Sequence, residues 1–188
     1  MIRYIINKAI VLFLVLGFAM LACKRQNDKD TNSVSEDRSV EFNESLLLMI
    51  NGKLYDPDSV LINTIHKKKI VSIVDGVCMK CVINDLNQAD LMFREITKEN
   101  TLAQTIYVLN VPPADSAYFL RHFEPSIDVK GLMLWDHGYT FENTNDLLTA
   151  DRNLRTFLLD ENNFIKFFGH PLYNSKLIEK YKSELIID

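Results

Sequence analysis

The sequence predicts an α/β domain in which a central mixed sheet carries helices on both faces. Runs with the apolar pattern of strands alternate along the chain with segments whose apolar residues recur every three or four positions, as they do in helices. Near the C-terminus, residues 155–160 and 164–169 form two strand-like runs around a short polar turn, which predicts a β-hairpin. This alternation is typical of a sheet that is covered by helices.

The first 22 residues predict a lipoprotein signal peptide. Arg3 and Lys8 precede an apolar run, residues 9–22, that is shorter than the roughly 20 residues a membrane-spanning helix needs. Small Ala22 stands directly before Cys23, and a polar stretch follows, as at the lipidation site of bacterial lipoproteins. Cys23 is therefore the predicted lipidation site. An ordinary secretory signal with an incidental cysteine is the alternative, and both interpretations predict export.

Residues 23–43 are predicted to be a polar tether, and residues 44–188 to be one domain. The tether has few large apolar side chains, so it cannot bury enough surface to offset the entropy of ordering. Residues 1–22 contain two of the 21 basic residues and no acidic residue, so the rest of the chain has 19 basic and 25 acidic residues, a formal charge of −6. This balance argues against nucleic acid as a partner, and membrane association would depend on the lipid anchor.

Local apolar patterns predict the elements of the domain. Residues 44–50 predict a short helix that ends at Asn51-Gly52. Residues 67–74 predict a buried strand, because their apolar run is nearly continuous. The helix after that strand has apolar residues in step at Val82, Leu86, Ala89, Phe93 and Ile96. The remaining predicted elements are strands at 105–111 and 131–136, a helix at 114–123, a partly helical connection at 137–154 and a closing helix at 175–186.

Cys78 and Cys81 are the predicted catalytic residues. They stand three positions apart where the buried strand gives way to the helix, so their sulfur atoms can approach bonding distance. The free amide groups and the positive end of the dipole at a helix start stabilise a thiolate. We expect Cys78 to attack a disulfide of a partner and Cys81 to resolve the mixed disulfide. Lys80 adds positive charge, and Asp75 is either a turn residue or a group that tunes Cys78.

Three segments and the leader carry a family resemblance. The segments are NGKLYDPDSV at 51–60, IVSIVDGVCMKC at 70–81 and TFLLDENNFIKFFGHPL at 156–172. With them the sequence resembles the thioredoxin superfamily in its TlpA-like and peroxiredoxin-like branch, and in particular the thioredoxin-like lipoproteins of Bacteroidetes.

The resemblance implies a location, a reaction and partners. The protein would be lipid-anchored in the cell envelope, in the outer membrane facing the periplasm or at the cell surface. Its cysteine pair would reduce, or else isomerise or oxidise, the disulfides of other exported proteins. An electron donor would be the second partner, and no bound cofactor is implied.

Three positions differ from the usual pattern of that family. The family usually has a cis-proline just before the strand that begins RTFLLD here, whereas Leu154 or Arg155 stands near that place. Val77 replaces the aromatic residue that often precedes the first cysteine. Ser72 replaces a buried acid that helps to shuttle protons. We expect these differences to change the redox potential and the range of partners.

Two other functions compete with thiol chemistry. One is a non-catalytic lipoprotein that keeps the fold as a binding scaffold. The other is a soft-metal chaperone, because two thiolates three positions apart can hold Cu(I); His137 and His170 would be its further ligands, although each is predicted to be a surface or turn residue. Trp135 is predicted to be a core residue, and Asp136, at the end of a strand, either a turn-former or a proton relay.

Overall fold

The computed structural model describes residues 38–56, 64–75, 79–98 and 103–185, except for the side chains of residues 79–82. These ranges belong to a compact unit that spans Ser35–Asp188. The predicted signal peptide, the predicted lipidation site Cys23 and the predicted catalytic residue Cys78 lie outside the described residues. No helix within the described ranges is long and apolar enough to cross a membrane.

One mixed sheet organises the described part of the chain. Its strands are β1 Leu47–Ile50, β2 Lys53–Tyr55, β3 Lys68–Asp75, β4 Ala103–Asn110, β5 Leu132–Asp136, β6 Thr156–Leu159 and β7 Ile165–Phe168. They lie in the order β2-β1-β5-β4-β3-β6-β7. The three central strands β3, β4 and β5 run parallel, whereas every pairing of the outer four is antiparallel. The predicted mixed sheet is confirmed.

Helices cover both faces of the sheet, as predicted, but unevenly. The helices are α1 Met79–Thr97, α2 Ser116–His122, α3 Thr140–Thr144 and α4 Lys176–Leu185. Side chains of α1, α2 and α4 pack into one apolar cluster with one face of the sheet. Among the α-helices of the described ranges, only the short α3 lies on the other face, where residues 38–46 complete the cover. The β6-β7 hairpin and the closing helix α4 were both predicted.

The two apolar clusters explain why β3 has a nearly continuous apolar sequence. Ile70 faces the helices and Val71 faces the opposite cluster, and both are fully buried. On β5, Trp135 is also fully buried and packs edge-to-face against Phe119 with ring centroids 5.4 Å apart. Burial of such a side chain contributes about 2–3 kcal/mol. The predicted core role of Trp135 is confirmed.

A buried carboxylate fixes α1 to the sheet. Asp90 accepts hydrogen bonds from the Tyr107 hydroxyl at 3.0 Å and from the backbone N–H groups of Lys130 and Gly131 at 3.1 and 3.2 Å. The Arg94 guanidinium pairs with it at 3.1 Å. A buried charge is tolerated when its lone pairs are satisfied in this way. The network therefore sets the position of α1 relative to β4 and β5.

The prediction of a short helix at residues 44–50 is wrong. Residues 47–50 form β1, which pairs with β2 across a two-residue turn. Asn51 and Gly52 both have positive φ, 48° and 69°, as a type I′ hairpin turn requires. An Asn-Gly pair with positive φ also ends helices, so the local signal was ambiguous. The antiparallel pairing of β1 with β5 stabilises the strand rather than the helix.

The predicted tether boundary at residue 43 lies too late. Val40 is 3% exposed, and Phe42 packs on the same apolar cluster with its ring 5.5 Å from that of Phe141. The backbone N–H and C=O of Glu41 both bond to the Asn145 side chain, at 2.7 and 2.9 Å. Apolar side chains at alternate positions, 40 and 42, give this polar segment a face to bury. Residues 38–43 therefore belong to the domain.

Candidate active site

The carboxyl ends of the three parallel strands meet at one edge of the sheet. Asp75, Asn110 and Asp136 are the last residues of β3, β4 and β5, and the strand register places Asn110 between the two acids. α1 begins at Met79, four residues after Asp75, and has Cys81 in its first turn. The backbone of Lys80 lies in the same turn. The predicted cysteine pair therefore follows directly in the sequence from this polar edge.

Asp75 is held by a guanidinium. Arg155 Nη1 lies 3.3 Å from Asp75 Oδ2, and the Tyr139 hydroxyl donates to Asp75 Oδ1 at 3.3 Å. Arg155 also donates from Nε and Nη2 to the backbone carbonyl of Thr149, at 2.9 and 2.8 Å. Burial, followed by the adjacent Asp75 carboxylate, raises the pKa of Tyr139. Asp75 is thus part of a charged corner and more than a turn residue.

The segment before β6 forms a 3₁₀ helix, Arg152–Arg155, at the place where the resembled family usually has its cis-proline. Asp151 caps this helix by accepting from the backbone N–H of Asn153 at 2.9 Å. Arg155, its last residue, is one of the two predicted at this place. The 3₁₀ helix and the ion pair to Asp75 therefore shape this side of the site.

A second polar pair lies at the same edge. Glu142 of α3 and Asn110 of β4 are 0% and 1% exposed, and Asn110 Nδ2 donates to Glu142 Oε2. Their other oxygens, Glu142 Oε1 and Asn110 Oδ1, are buried without a hydrogen-bond partner among the described residues. Burial raises the pKa of Glu142, against the opposing effect of the nearby Arg155 charge. Two polar groups are thus buried together, and one oxygen of each accepts no hydrogen bond from the described residues.

Asp136 and Ser72 have structural roles at this edge. Asp136 accepts from the backbone N–H groups of Thr140 and Phe141 at 3.0 and 2.9 Å, so it caps the start of α3. Its predicted role as a turn-former is confirmed. Ser72 Oγ lies 3.0 Å from Thr156 Oγ1 in the interior, where the two hydroxyls link β3 to β6. The position that the resembled family gives to a buried acid is therefore a neutral hydroxyl pair.

A cavity of about 460 Å³ lies beside α1. The end of β3, the α1 residues Asp85 and Leu86, the segment around Arg152 and His170 line it. His170 Nδ1 accepts from the backbone N–H of Leu172 at 3.1 Å, and burial lowers the pKa of His170 to about 4, although the Asp85 charge opposes the shift. His170 is therefore neutral at physiological pH, with its proton on Nε2.

The two histidines considered as metal ligands lie in different settings. His137 is exposed beside Trp135, whose Nε1 donates to His137 Nδ1 at 3.4 Å. His170 is buried against Phe93, with ring centroids 5.6 Å apart, and it starts the predicted turn. Within the described ranges, no three His, Cys, Asp or Glu side chains are grouped as a metal site.

Sequence reasoning missed Glu142, Asn110 and Tyr139. Asn110 interrupts an apolar run at the end of a strand, and that signal was available. Glu142 lies in the predicted irregular connection, where nothing local shows that it is buried. The register of β3, β4 and β5 brings these residues to Asp75.

No family model and no curated protein sequence matches this chain. Solved structures do match it. One is a proposed thiol:disulfide interchange protein DsbE from Chlorobium tepidum, with a TM-score of 0.57 and 11% identity over 82% of this chain and 100% of that chain.

Two Bacteroidetes structures match at similar levels. A proposed protein disulfide isomerase from Bacteroides thetaiotaomicron has a TM-score of 0.54 and 16% identity, over 81% of this chain and 91% of that chain. An uncharacterised thioredoxin-like protein from Porphyromonas gingivalis has a TM-score of 0.53 and 16% identity, over 79% and 94%. At these identities the likeness concerns the fold. The chain has the thioredoxin-like fold.

Proposed function

We propose that this chain is a thiol-disulfide oxidoreductase that reduces disulfides of exported proteins through Cys78 and Cys81. The joint between β3 and α1 carries the proposal. The interior strand β3 ends at Asp75, and the 19-residue helix α1 begins at Met79 with Cys81 in its first turn. The amide groups at such a helix start favour a thiolate over a thiol.

The reaction proceeds by two exchanges. The Cys78 thiolate attacks one sulfur of the client disulfide, which forms a mixed disulfide and releases the first client sulfur as a thiolate that takes a proton from water. Cys81, deprotonated, then attacks the Cys78 sulfur, which closes the Cys78-Cys81 disulfide and releases the second client thiol. Two electrons have passed to the client, and a dithiol donor of the envelope restores the pair.

The cavity beside α1 supports a polypeptide client. It adjoins the helix that carries Cys81, and its lining combines apolar side chains with the carboxylate of Asp85 and the guanidinium of Arg152. A lining with both charge signs suits a peptide segment, which has polar backbone groups, better than a purely apolar ligand. Two of the similar structures, a proposed interchange protein and a proposed disulfide isomerase, point to the same class of reaction.

We further propose that Cys23 is lipidated and that the domain works in the cell envelope, at the outer membrane facing the periplasm or at the surface. The leader sequence supports export, and the net charge of the exported part is negative. A disulfide-exchange role also fits an oxidising compartment.

A binding scaffold without exchange is the second candidate. The observation that favours it is the Asp75-Arg155 ion pair, because Arg155 also binds the Thr149 carbonyl and so fills the corner at the end of β3, three residues before Cys78 in the sequence. On this account a partner binds the cavity beside α1, and the cysteines take no part.

Trapping of clients separates the two candidates. Cys81→Ala in the full chain is expected to accumulate mixed disulfides through Cys78 in cells, detected as adducts that a reductant removes. The matched Cys78→Ala variant is expected to trap none. A redox titration of the purified protein against glutathione, read by thiol alkylation, is expected to give one reversible transition. If neither mixed-disulfide adducts nor a redox transition is found, thiol exchange is ruled out and the scaffold role is favoured.

A further inference from the structure

Glu142 is a fully buried acid at the edge of the proposed site, as is Asp136. Groups from four neighbouring elements face it: Asn110 of β4, Asp75 of β3, Asp136 of β5 and Arg155 of the 3₁₀ helix. Tyr139, just before α3, is near enough to sense its charge. The described side chains of this corner thus bring three carboxyl groups to one guanidinium.

The single guanidinium is already engaged. Arg155 pairs with Asp75 through Nη1 and gives Nε and Nη2 to the Thr149 carbonyl. Asp136 has its own partners in two backbone N–H groups. Glu142 has one amide donor, Asn110 Nδ2, and its second oxygen accepts no hydrogen bond from the part of the chain that the structure describes. A buried carboxylate with a single neutral donor is strongly disfavoured relative to the protonated acid.

The two unpartnered oxygens point to one proton. Glu142 Oε1 and Asn110 Oδ1 belong to side chains already joined through their other atoms, and both are acceptors as long as Glu142 is ionised. A proton on Glu142 Oε1 turns that oxygen into a donor. It can then bond to Asn110 Oδ1, as in the cyclic pair formed by a carboxylic acid and an amide. One proton satisfies both oxygens.

The location connects this proton to the cysteine pair. Asp75 and Arg155 both act on Glu142 electrostatically, and Cys78 follows Asp75 by three residues. Three residues of chain span at most about 11 Å. A negative charge that appears on Cys78 therefore arises within this length of chain from Asp75, and a new negative charge increases the affinity of a nearby carboxylate such as Glu142 for a proton.

We propose that Glu142 holds a proton at neutral pH in a carboxylic acid-amide pair with Asn110 and is a positioning residue for the redox pair. This inference rests on the proposed thiol chemistry. Reduction of the Cys78-Cys81 disulfide adds two electrons and breaks the S–S bond, leaving one thiolate and one thiol that takes a proton from water. The new thiolate charge makes Glu142 bind its own proton more tightly. Reduced protein therefore retains this proton to higher pH than oxidised protein does.

The first test asks whether the proton is present. Glu142→Gln reproduces the protonated acid, because its Nε2 donates to Asn110 Oδ1 and its oxygen accepts from Asn110 Nδ2. We expect this variant of the full chain to equal the native protein in denaturant stability at about pH 5 and to exceed it increasingly as the pH rises to about 9. Glu95→Gln, on the exposed face of α1, is the matched control and is expected to show no such divergence. A Glu142→Gln variant that loses stability equally at every pH would overturn the proposal.

An infrared measurement on the native protein tests the same proton without any variant, so it still applies if Glu142→Gln does not fold. At neutral pH, exposed carboxyl groups are ionised, so a band from a protonated carboxyl group reports a buried acid. We expect this band in the native protein. Its absence would overturn the proposal.

The second test asks whether the proton is coupled to the cysteine pair. The reduction potential is measured against dithiothreitol or glutathione over a range of pH, for the native chain, Glu142→Gln and Glu95→Gln. We expect the potential of the native protein to depend more steeply on pH than that of Glu142→Gln, by up to a tenfold change in equilibrium constant per pH unit, about 30 mV. Equal slopes overturn the coupling and leave the proposed redox function intact. A native pair that shows no transition instead overturns the redox function itself, and the coupling with it.

Discussion

The guanidinium of Arg155 lies 3.3 Å from the carboxylate of Asp75 and ties the segment before β6 to the end of β3. The same guanidinium donates two hydrogen bonds to the Thr149 carbonyl, so it also closes the loop that leads into the 3₁₀ helix. The Arg155 side chain is only 16% exposed, and the ion pair is therefore less screened by water than a surface pair. One side chain thus organises the wall of the proposed site.

Arg155→Ala is expected to lower the free energy of unfolding by about 1–3 kcal/mol, because it leaves Asp75 and the Thr149 carbonyl without this donor. Arg152→Ala, in the exposed first position of the same 3₁₀ helix, is the control and is expected to change stability by less than about 0.5 kcal/mol. Urea denaturation of both variants measures the difference. An equal loss of unfolding free energy in the two variants would show that the ion pair adds nothing to stability.

Asn145→Ala is expected to lower the free energy of unfolding by about 1–3 kcal/mol and to weaken the packing of residues 38–43 on the domain. The Asn145 side chain accepts from the Glu41 N–H and donates to the carbonyls of Glu41 and Phe141. Hydrogen exchange at residues 40–42 should accelerate in this variant. Asn143→Ala, exposed on α3, the helix that ends directly before Asn145, serves as the comparison. Unchanged exchange in Asn145→Ala would contradict the assignment of this segment to the domain.

Asp90→Ala is expected to destabilise the protein by about 3–5 kcal/mol, because it leaves the Tyr107 hydroxyl and two backbone N–H groups unpaired in the interior. Tyr107→Phe removes only one bond of the network and is expected to cost about 1 kcal/mol. Thermal or denaturant unfolding distinguishes the two variants. If both cost the same, the backbone bonds of Asp90 contribute little.

The pKa of His170, lowered to about 4 by burial, predicts a specific dependence of stability on pH. Between this value and the ordinary histidine pKa near about 6.5, the unfolded chain binds a proton that the folded chain does not. The free energy of unfolding should therefore rise with pH across this window, by up to about 3 kcal/mol.

His170→Asn tests that dependence, since its side-chain oxygen can still accept from the Leu172 N–H. We expect the variant to lose the rise in stability between about pH 4 and pH 6.5. His66→Asn is the control: His66 is exposed with φ of 67°, a conformation that asparagine tolerates. A pH profile of His170→Asn that equals the native one would assign the dependence to other groups.

Local apolar patterns correctly predicted the strands and helices whose buried side chains follow a regular pattern within one short segment. β3 has a continuous apolar run because both of its faces are covered, and α1 shows its buried stripe at Leu86, Ala89, Phe93 and Ile96. For β1, the apolar run fits a helix as well as a strand. Only its pairing with β5, more than 80 residues later, selects the strand.

The charged corner was only partly predictable for the same reason. Asp75 was recognised because it stands beside the cysteines in the sequence. Arg155 was identified only as one of two residues, with Leu154, near the place of the usual proline, and its ion pair with Asp75 depends on the pairing of β3 with β6. Glu142 and Asn110 come together through the parallel register of β4 and β5 and the cap that Asp136 places on α3. A pattern within a single segment does not contain such contacts.

The packing of residues 38–43 onto the sheet also limits how far the domain can work from a bilayer. If Cys23 carries the lipid, fourteen residues of sequence, 24–37, separate it from the described part of the domain. A chain of that length reaches at most about 50 Å when fully extended, and a flexible one has a typical end-to-end distance of about 20 Å. The domain would then stay close to the membrane surface. Exported proteins near that surface would be the clients within its reach.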